Sequence, residues 1–241
     1  MRATIPGHAR AGRAPVGYRA KAASDGIMSE VLSNPLPMHD TSSRSSMPAP
    51  AEPAWDVARL FPSQGDWTQE QYLALPGSRL IEFEDGRIEV LLMPTEFHQF
   101  IVAFLYNCLT AFIMAADAGK ALFAPFPVRL RDGKFREPDV LFIKKENYVR
   151  RKPQFWEGAD LVMEVVSPDD RRRDIDLKRR EYAQASIAEY WIIDPRHETI
   201  SVLTLEGESY KVAGEYRKGQ QAGSALLPAI KVDVTATFNV A

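Results

Sequence analysis

Two acidic residues stand next to or inside runs of apolar residues, and their side chains could do chemistry. Asp139 follows Glu137 and Pro138 and leads into an apolar run at 140–143, and Glu164 interrupts the apolar run at 161–166. A buried carboxylate is costly unless a cation, a hydrogen bond or a proton compensates its charge. If neighbouring strands bring both carboxylates to one end of a sheet, their hard oxygens suit Mg²⁺ or Mn²⁺. The structural alternative is that Asp139 caps a strand and Glu164 pairs with an arginine.

The element expected before these strands is a helix over 96–118. Its apolar residues recur at steps of three and four, which predicts a helix with one buried face: Phe97, Ile101, Phe104, Leu105, Cys108 and Phe112. Cys108 lies on that face, so we expect a buried, inert thiol.

The order of the predicted elements is αβββαβ from this helix onward. Strands are expected at 122–130, 138–143 and 161–166, a polar helix at 170–185 and a buried strand at 189–193. The strands at 138–143 and 161–166 are apolar on both faces and should be central in a mixed sheet. A short capped helix at 68–75 and a β-hairpin at 80–92 around Asp85-Gly86 precede this core, and antiparallel strands at 199–205, 209–213 and 231–234 follow it.

Length and composition favour one α/β domain with a tail. The chain has 241 residues, 45% of them hydrophobic, which is enough for one medium-sized core. Six prolines, a serine-rich stretch and six Lys or Arg lie in the first 50 residues, a composition that buries little apolar surface. We expect residues 1–54 to be a disordered tail and residues 55–241 to be the folded domain.

Charge and cysteine content narrow the functional classes. A net charge of -2 argues against a protein that coats nucleic acid by bulk charge. Residues 129–180 nevertheless hold 15 basic and 11 acidic residues, and this local excess predicts phosphate contacts around the acids. The single Cys108 excludes an intrachain disulfide, so we expect a reducing cytoplasmic location. No uninterrupted run reaches the ~18 apolar residues typical of a membrane span.

The motifs, taken in order, resemble a known family. Pro138-Asp139 followed one strand later by Glu164-Val165-Val166 is similar to the PD-(D/E)xK phosphodiesterase superfamily. The longer series resembles one large family of bacterial restriction-endonuclease-like proteins over about 60–235. The series consists of 80–86 (Leu-Ile-Glu-Phe-Glu-Asp-Gly), Met93-Pro94-Thr95 with His98-Gln99, Glu137–Val140, 164–168 (Glu-Val-Val-Ser-Pro), Asp174 with Lys178 and Tyr182, and 189–195 (Glu-Tyr-Trp-Ile-Ile-Asp-Pro).

The resemblance implies roles for individual residues. Asp139 and Glu164 would bind the metal, with the backbone carbonyl of Val165 as a further ligand. The superfamily lysine is expected two residues after the glutamate, where this chain has Val166. Lys178 on the following helix would replace it. The alternative for Lys178 is a pair with Asp174 on a solvated helix face, which stabilises by only ~0.3–0.5 kcal/mol.

Four further residues have weaker assignments. Glu82 would complete the metal site or would be a surface acid of the hairpin. His98, Arg171 and Tyr182 are possible substrate contacts, and His98 has a structural alternative. Trp191 is expected in the core or in a dimer interface rather than as a platform for base stacking.

The expectation from the sequence is a metal-dependent endonuclease of restriction-endonuclease-like α/β fold that uses Mg²⁺ or Mn²⁺. DNA is the expected substrate. A homodimer would form through the Tyr190-Trp191 strand and the C-terminal strands. Two alternatives stay open: a catalytically silent nucleic-acid-binding protein of the same fold, and a metal-independent hydrolase that uses the carboxylate pair as acid and base.

Overall fold

The computed structural model of the chain describes residues 61–75, 80–167 and 173–240. The tail expected at 1–54 and the possible substrate contact Arg171 lie outside the described residues. The α-helices of the described part are α1 (Gln69–Leu73), α2 (Glu96–Ala116), α3 (Lys178–Gln184) and α4 (Val234–Phe238).

A mixed six-stranded sheet forms the centre of the domain and confirms the predicted fold class. Its order is β11-β10-β9-β8-β6-β3. Only β8 and β9 pair in parallel, and the other neighbours are antiparallel. The strands are β3 (Gly119–Phe123), β6 (Val140–Lys144), β8 (Leu161–Val165), β9 (Glu189–Asp194), β10 (Thr199–Glu206) and β11 (Ser209–Arg217). One face packs on α2 through Ile101, Leu105 and Leu109, and the opposite face packs on α3 through Tyr182.

A second sheet of five strands contains the predicted hairpin. Its order is β2-β1-β5-β4-β7, with β1 (Ile81–Glu84), β2 (Arg87–Val90), β4 (Val128–Arg131), β5 (Lys134–Arg136) and β7 (Trp156–Glu157). Asp85 and Gly86 have φ values of 46° and 82°, as a two-residue hairpin turn requires. A short pair, β12 (Gln221–Gly223) with β13 (Lys231–Asp233), lies near the C-terminus.

The strand predicted at 122–130 is wrong in one respect. It is divided into β3 and β4, which belong to different sheets. Pro125 and Pro127 lie between them, and a proline has no N–H to donate to a strand partner. The strand predicted at 231–234 also ends early, because the Asp233 side chain accepts from the N–H of Ala236 and caps α4.

Helix α2 is long and apolar, although polar residues interrupt its apolar runs. By length and composition it is apolar enough to cross a membrane, with a mean hydropathy of 1.8 over an 18-residue window. Ile101, Val102, Leu105, Leu109 and Ile113 are buried in the core of the domain. The helix is thus an element of the core whose other face is also apolar. Cys108 is half-buried there, and burial raises the pKa of its thiol, in keeping with an inert cysteine.

Candidate active site

The adjacent ends of β6 and β8 bring the two predicted acids together. Val140 pairs with Met163 in antiparallel register, so the preceding Asp139 stands opposite the following Glu164. The N–H of Val165 donates to Asp139 Oδ2 over 2.8 Å. Both carboxylates therefore lie at one end of the central sheet.

His98 lies beside Asp139 at this end of the sheet. It occupies the first turn of α2, where its backbone N–H donates to the N-cap residue Thr95. Its Nε2 is 3.3 Å from Asp139 Oδ2. Burial alone would lower the pKa of His98, but the hydrogen bond and charge of Asp139, with contributions from Glu164 and the Val165 backbone, hold it above its usual value.

Two residues of α3 hold the carboxylate of Glu164. Lys178 Nζ lies 2.8 Å from Glu164 Oε2, and the Tyr182 hydroxyl donates to Glu164 Oε1 over 2.5 Å. All three residues are buried. The structure therefore places Lys178 inside the domain rather than on a solvated helix face, and it places Tyr182 behind Glu164, where the ring packs edge-on against Tyr190. Burial and the charge of Glu164 raise the pKa of Tyr182.

Glu82 is a buried acid and not a surface acid of the hairpin. Its Oε2 is 3.3 Å from Arg136 Nη1, and its Oε1 accepts from the backbone N–H of Glu137 over 3.3 Å. The pairing with Arg136 gives Glu82 a role in charge compensation that the sequence did not indicate.

The sequence did not indicate a group of charges beside this site, of which all but Glu84 are buried. Glu181 of α3 accepts from Lys134 Nζ (2.6 Å), Arg136 Nε (2.8 Å) and Arg136 Nη2 (3.0 Å). Glu84 accepts from the same two cations. We call Glu82, Glu84, Lys134, Arg136 and Glu181 the β5–α3 charge cluster. The only sign of it in the sequence is the pattern Lys-Phe-Arg at 134–136.

The basic residues at 144–152, which are part of the excess counted over 129–180, do not lie around the site, so the expectation is wrong for this segment. Lys144 is at the opposite end of β6 from Asp139, where its N–H donates to Asp160. Arg150 also pairs with Asp160, and Lys145 pairs with Asp117. Counting charges along the sequence does not locate them in space. Asp139 and Lys144 are close in sequence but lie at opposite ends of a strand, ~16 Å apart.

Trp191 is fully buried in the core, where its indole N–H donates to Glu189 over 2.7 Å. Tyr190 is fully buried as well. Neither residue offers a surface for base stacking or for a partner subunit, so the predicted dimer interface through this strand is wrong.

The donor atoms at the site suit a hard divalent cation. No group of three or more His, Cys, Asp or Glu side chains positioned to hold a metal ion occurs within 61–75, 80–167 and 173–240. Mg²⁺ rarely needs such a group, because it keeps several waters and binds through one or two carboxylates together with substrate phosphates. The two carboxylates of Asp139 and Glu164 fit that requirement.

Comparison with known proteins agrees with this architecture. The model of a family described as "Uma2: Putative restriction endonuclease" matches residues 69–235. The chain belongs to this family. Restriction-endonuclease-like families generally use divalent metals. No curated protein matches this Uma2 chain in sequence.

A solved structure has a similar fold. It is the crystal structure of a "putative nuclease belonging to DUF820" from Anabaena variabilis ATCC 29413. The match has a TM-score of 0.59 at 16% identity and covers 72% of the Uma2 chain and 98% of the crystallised chain. At this identity the likeness concerns the fold, which is nuclease-like, with mixed sheets flanked by helices.

Proposed function

We propose that this Uma2 protein is a metal-dependent endonuclease that hydrolyses phosphodiester bonds in DNA with Mg²⁺ or Mn²⁺. The observation that carries the proposal is the register of β6 and β8, which places Asp139 opposite Glu164, with Lys178 Nζ 2.8 Å from Glu164. Family membership and the nuclease-like fold support it.

The cation would be held by Asp139, Glu164 and the carbonyl of Val165. When bound, such an ion acidifies a water molecule and neutralises charge on phosphate oxygens. Asp139 is pre-oriented for this by the N–H of Val165. A second-sphere hydrogen bond of this kind commonly orients a metal ligand.

Lys178 is the residue we assign to charge stabilisation and proton handling. Hydrolysis adds a water oxygen to phosphorus and breaks the bond to the bridging oxygen, so negative charge grows on the phosphate oxygens and protons must move. An ammonium group fixed in a water-poor site stabilises such charge strongly because it needs no reorganisation. Lys178 is fixed by Glu164, and Tyr182 holds the other oxygen of the same carboxylate.

Nicking of supercoiled plasmid DNA tests the proposal. The wild type should convert the plasmid with Mg²⁺ or Mn²⁺ and should stop when EDTA is added, and Asp139→Asn should be inactive. Binding of DNA without nicking would indicate the silent nucleic-acid-binding protein. Hydrolysis that ignores EDTA would indicate the carboxylate-pair hydrolase. A parallel assay with single-stranded RNA separates the two nucleic acids.

We also propose a homodimer in the cytoplasm, on a different surface from the one expected. Positions 97–116 of α2 carry no Asp, Glu, Lys or Arg. Phe100 and Met114 of this helix are exposed. A two-fold axis brings identical residues close together, and an uncharged helix face avoids the repulsion that charged residues would cause there.

A further inference from the structure

The five-stranded sheet is joined to α3 by the β5–α3 charge cluster. Arg136 binds Glu181 with two nitrogens, Nε to Oε2 at 2.8 Å and Nη2 to Oε1 at 3.0 Å. Lys134 adds a contact to Glu181 of 2.6 Å. Glu181 lies three residues after Lys178 and one before Tyr182, so the same short helix contacts both the charge cluster and Glu164.

The ion pairs of the β5–α3 charge cluster are better suited to fix the orientation of side chains than to stabilise the fold. A buried ion pair is costly to desolvate, and apolar residues of similar volume often stabilise a protein as well or better. A two-point contact between a guanidinium and a carboxylate fixes direction as well as distance. The hydrogen bond with Glu181 and the charges of Glu82 and Glu181 raise the pKa of Arg136 in spite of its burial, so Arg136 keeps its charge.

Glu181 and Lys178 are neighbours on the surface of α3. Residues three apart on a helix are about 300° apart in angle, so their side chains are neighbours on its surface. Fixing the Glu181 carboxylate therefore limits where Lys178 Nζ and the Tyr182 hydroxyl can lie. A further polar contact of α3 with a strand is the hydrogen bond from Arg179 to the carbonyl of Tyr210 on β11.

From these contacts we infer that Arg136 and Glu181 are positioning residues, which hold Lys178 and Tyr182 against the two oxygens of Glu164. The expected effect on cleavage rests on the proposed function, whereas the positioning of Lys178 and Tyr182 does not. Loss of the two-point contact should misplace Lys178 while the carboxylates of Asp139 and Glu164, which lie at the adjacent ends of β6 and β8, stay in position.

Arg136→Lys is the direct test, because it keeps the charge and removes the planar two-point contact. The first measurement is the NMR signal of the Lys178 ammonium group, recorded without metal or DNA. This signal is seen when a lysine is held in a lasting hydrogen bond, and it should weaken or disappear in the variant. Arg129→Lys is the matched control, because Arg129 lies on β4 of the same sheet and its described ion-pair partners, Glu157 and Asp132, belong neither to the β5–α3 charge cluster nor to α3. The control should keep the Lys178 signal.

The second measurement is plasmid cleavage in single and double variants. Arg136→Lys should lower kcat about tenfold or more with KM nearly unchanged, as expected for a misplaced group. In a Lys178→Met background the same change should have no further effect, whereas a general structural defect would lower cleavage in both backgrounds. Glu181→Gln provides the same comparison if Arg136→Lys does not fold.

Two outcomes overturn the inference. An unchanged Lys178 signal in both variants would show that the cluster does not position the lysine. Equal losses of cleavage with and without Lys178 would show that the cluster only supports the fold. If the wild type cleaves no nucleic acid, the proposed function fails, and the NMR comparison still decides the positioning role by itself.

Discussion

Lys178 Nζ donates to Glu164 Oε2 over 2.8 Å, and both side chains are buried. The sequence left open, as the alternative to a catalytic role, a weak pair with Asp174 on a solvated helix face. Glu164, which holds the Lys178 ammonium group, lies 14 residues before it in the chain, on β8. This changes what removal of the lysine should do, because a buried carboxylate that loses its cation is destabilised far more than an exposed one.

Lys178→Met keeps the apolar stem and removes the charge. We expect cleavage to fall by roughly 10² or more and the free energy of unfolding to fall by about 3 kcal/mol. Initial rates of plasmid nicking and urea denaturation measure the two effects. Arg180→Ala is the control, because Arg180 is exposed and its hydrogen bond within the described residues goes to the carbonyl of Asp176, in the turn just before α3. Arg179 is less suitable because it binds the Tyr210 carbonyl. Equal losses of activity in the Lys178 and Arg180 variants would contradict a specific catalytic lysine.

Asp139→Asn should remove most of the metal-dependent rise in melting temperature. A ligand that binds the folded state stabilises it by ~2.7 kcal/mol at a hundredfold excess over its Kd, and Asn is a weaker ligand than a carboxylate for Mg²⁺. Scanning calorimetry with and without Mn²⁺ measures the shift. Asp132→Asn is the control, since the Asp132 side chain is 95% exposed. If the Asp139 variant keeps the full shift, Asp139 is not a metal ligand.

The sequence predicted the central part of the fold and site because the relevant patterns are local. The three-and-four spacing of α2, the apolar strands around Asp139 and Glu164, and the Asp85-Gly86 turn each depend on neighbouring residues. The β5–α3 charge cluster depends on pairs such as Arg136 with Glu181, which are 45 residues apart. β5 has three residues, two of them charged, so periodicity could not mark it as a buried strand.

The assembly prediction concerns α2. Light scattering at tens of micromolar protein should give the mass of a dimer. Met114→Glu should shift the mass toward a monomer, because Met114 is exposed on the uncharged face of α2 and a two-fold contact would bring like charges together. Val90→Glu is the control, since Val90 is similarly exposed but lies on β2 of the five-stranded sheet and not on α2. A monomeric wild type would rule out the homodimer.

Tyr182→Phe tests whether Tyr182 contacts substrate. The hydroxyl donates to Glu164 Oε1, and the side chain has no exposed surface. We expect the free energy of unfolding to fall by about 1–3 kcal/mol, because a buried acceptor loses its donor. Binding of DNA to the variant, measured by fluorescence anisotropy without metal, should remain within about twofold of the wild type, since no substrate contact is lost. A large loss of DNA affinity at unchanged stability would restore the substrate-contact role.

Lowering the pH should weaken the β5–α3 charge cluster, because the carboxylate of Glu181 becomes protonated. Burial alone would raise the pKa of Glu181, but the hydrogen bonds and charges of Arg136 and Lys134 outweigh it and hold the pKa below the usual 4.5. The contribution of Glu181 to stability is therefore fully present above pH 4.5 and is lost as the pH falls through the lower folded value.

Glu181→Gln removes this titration, so the variant should be less stable than the wild type at pH 7, and the difference should shrink between about pH 5 and 3. Urea denaturation at each pH measures the difference. Glu208→Gln is the control, because Glu208 is exposed in the turn between β10 and β11, and its difference from the wild type should stay small throughout. A Glu181 difference that stays constant down to pH 3 would mean that Glu181 stabilises the fold by packing rather than by its charge.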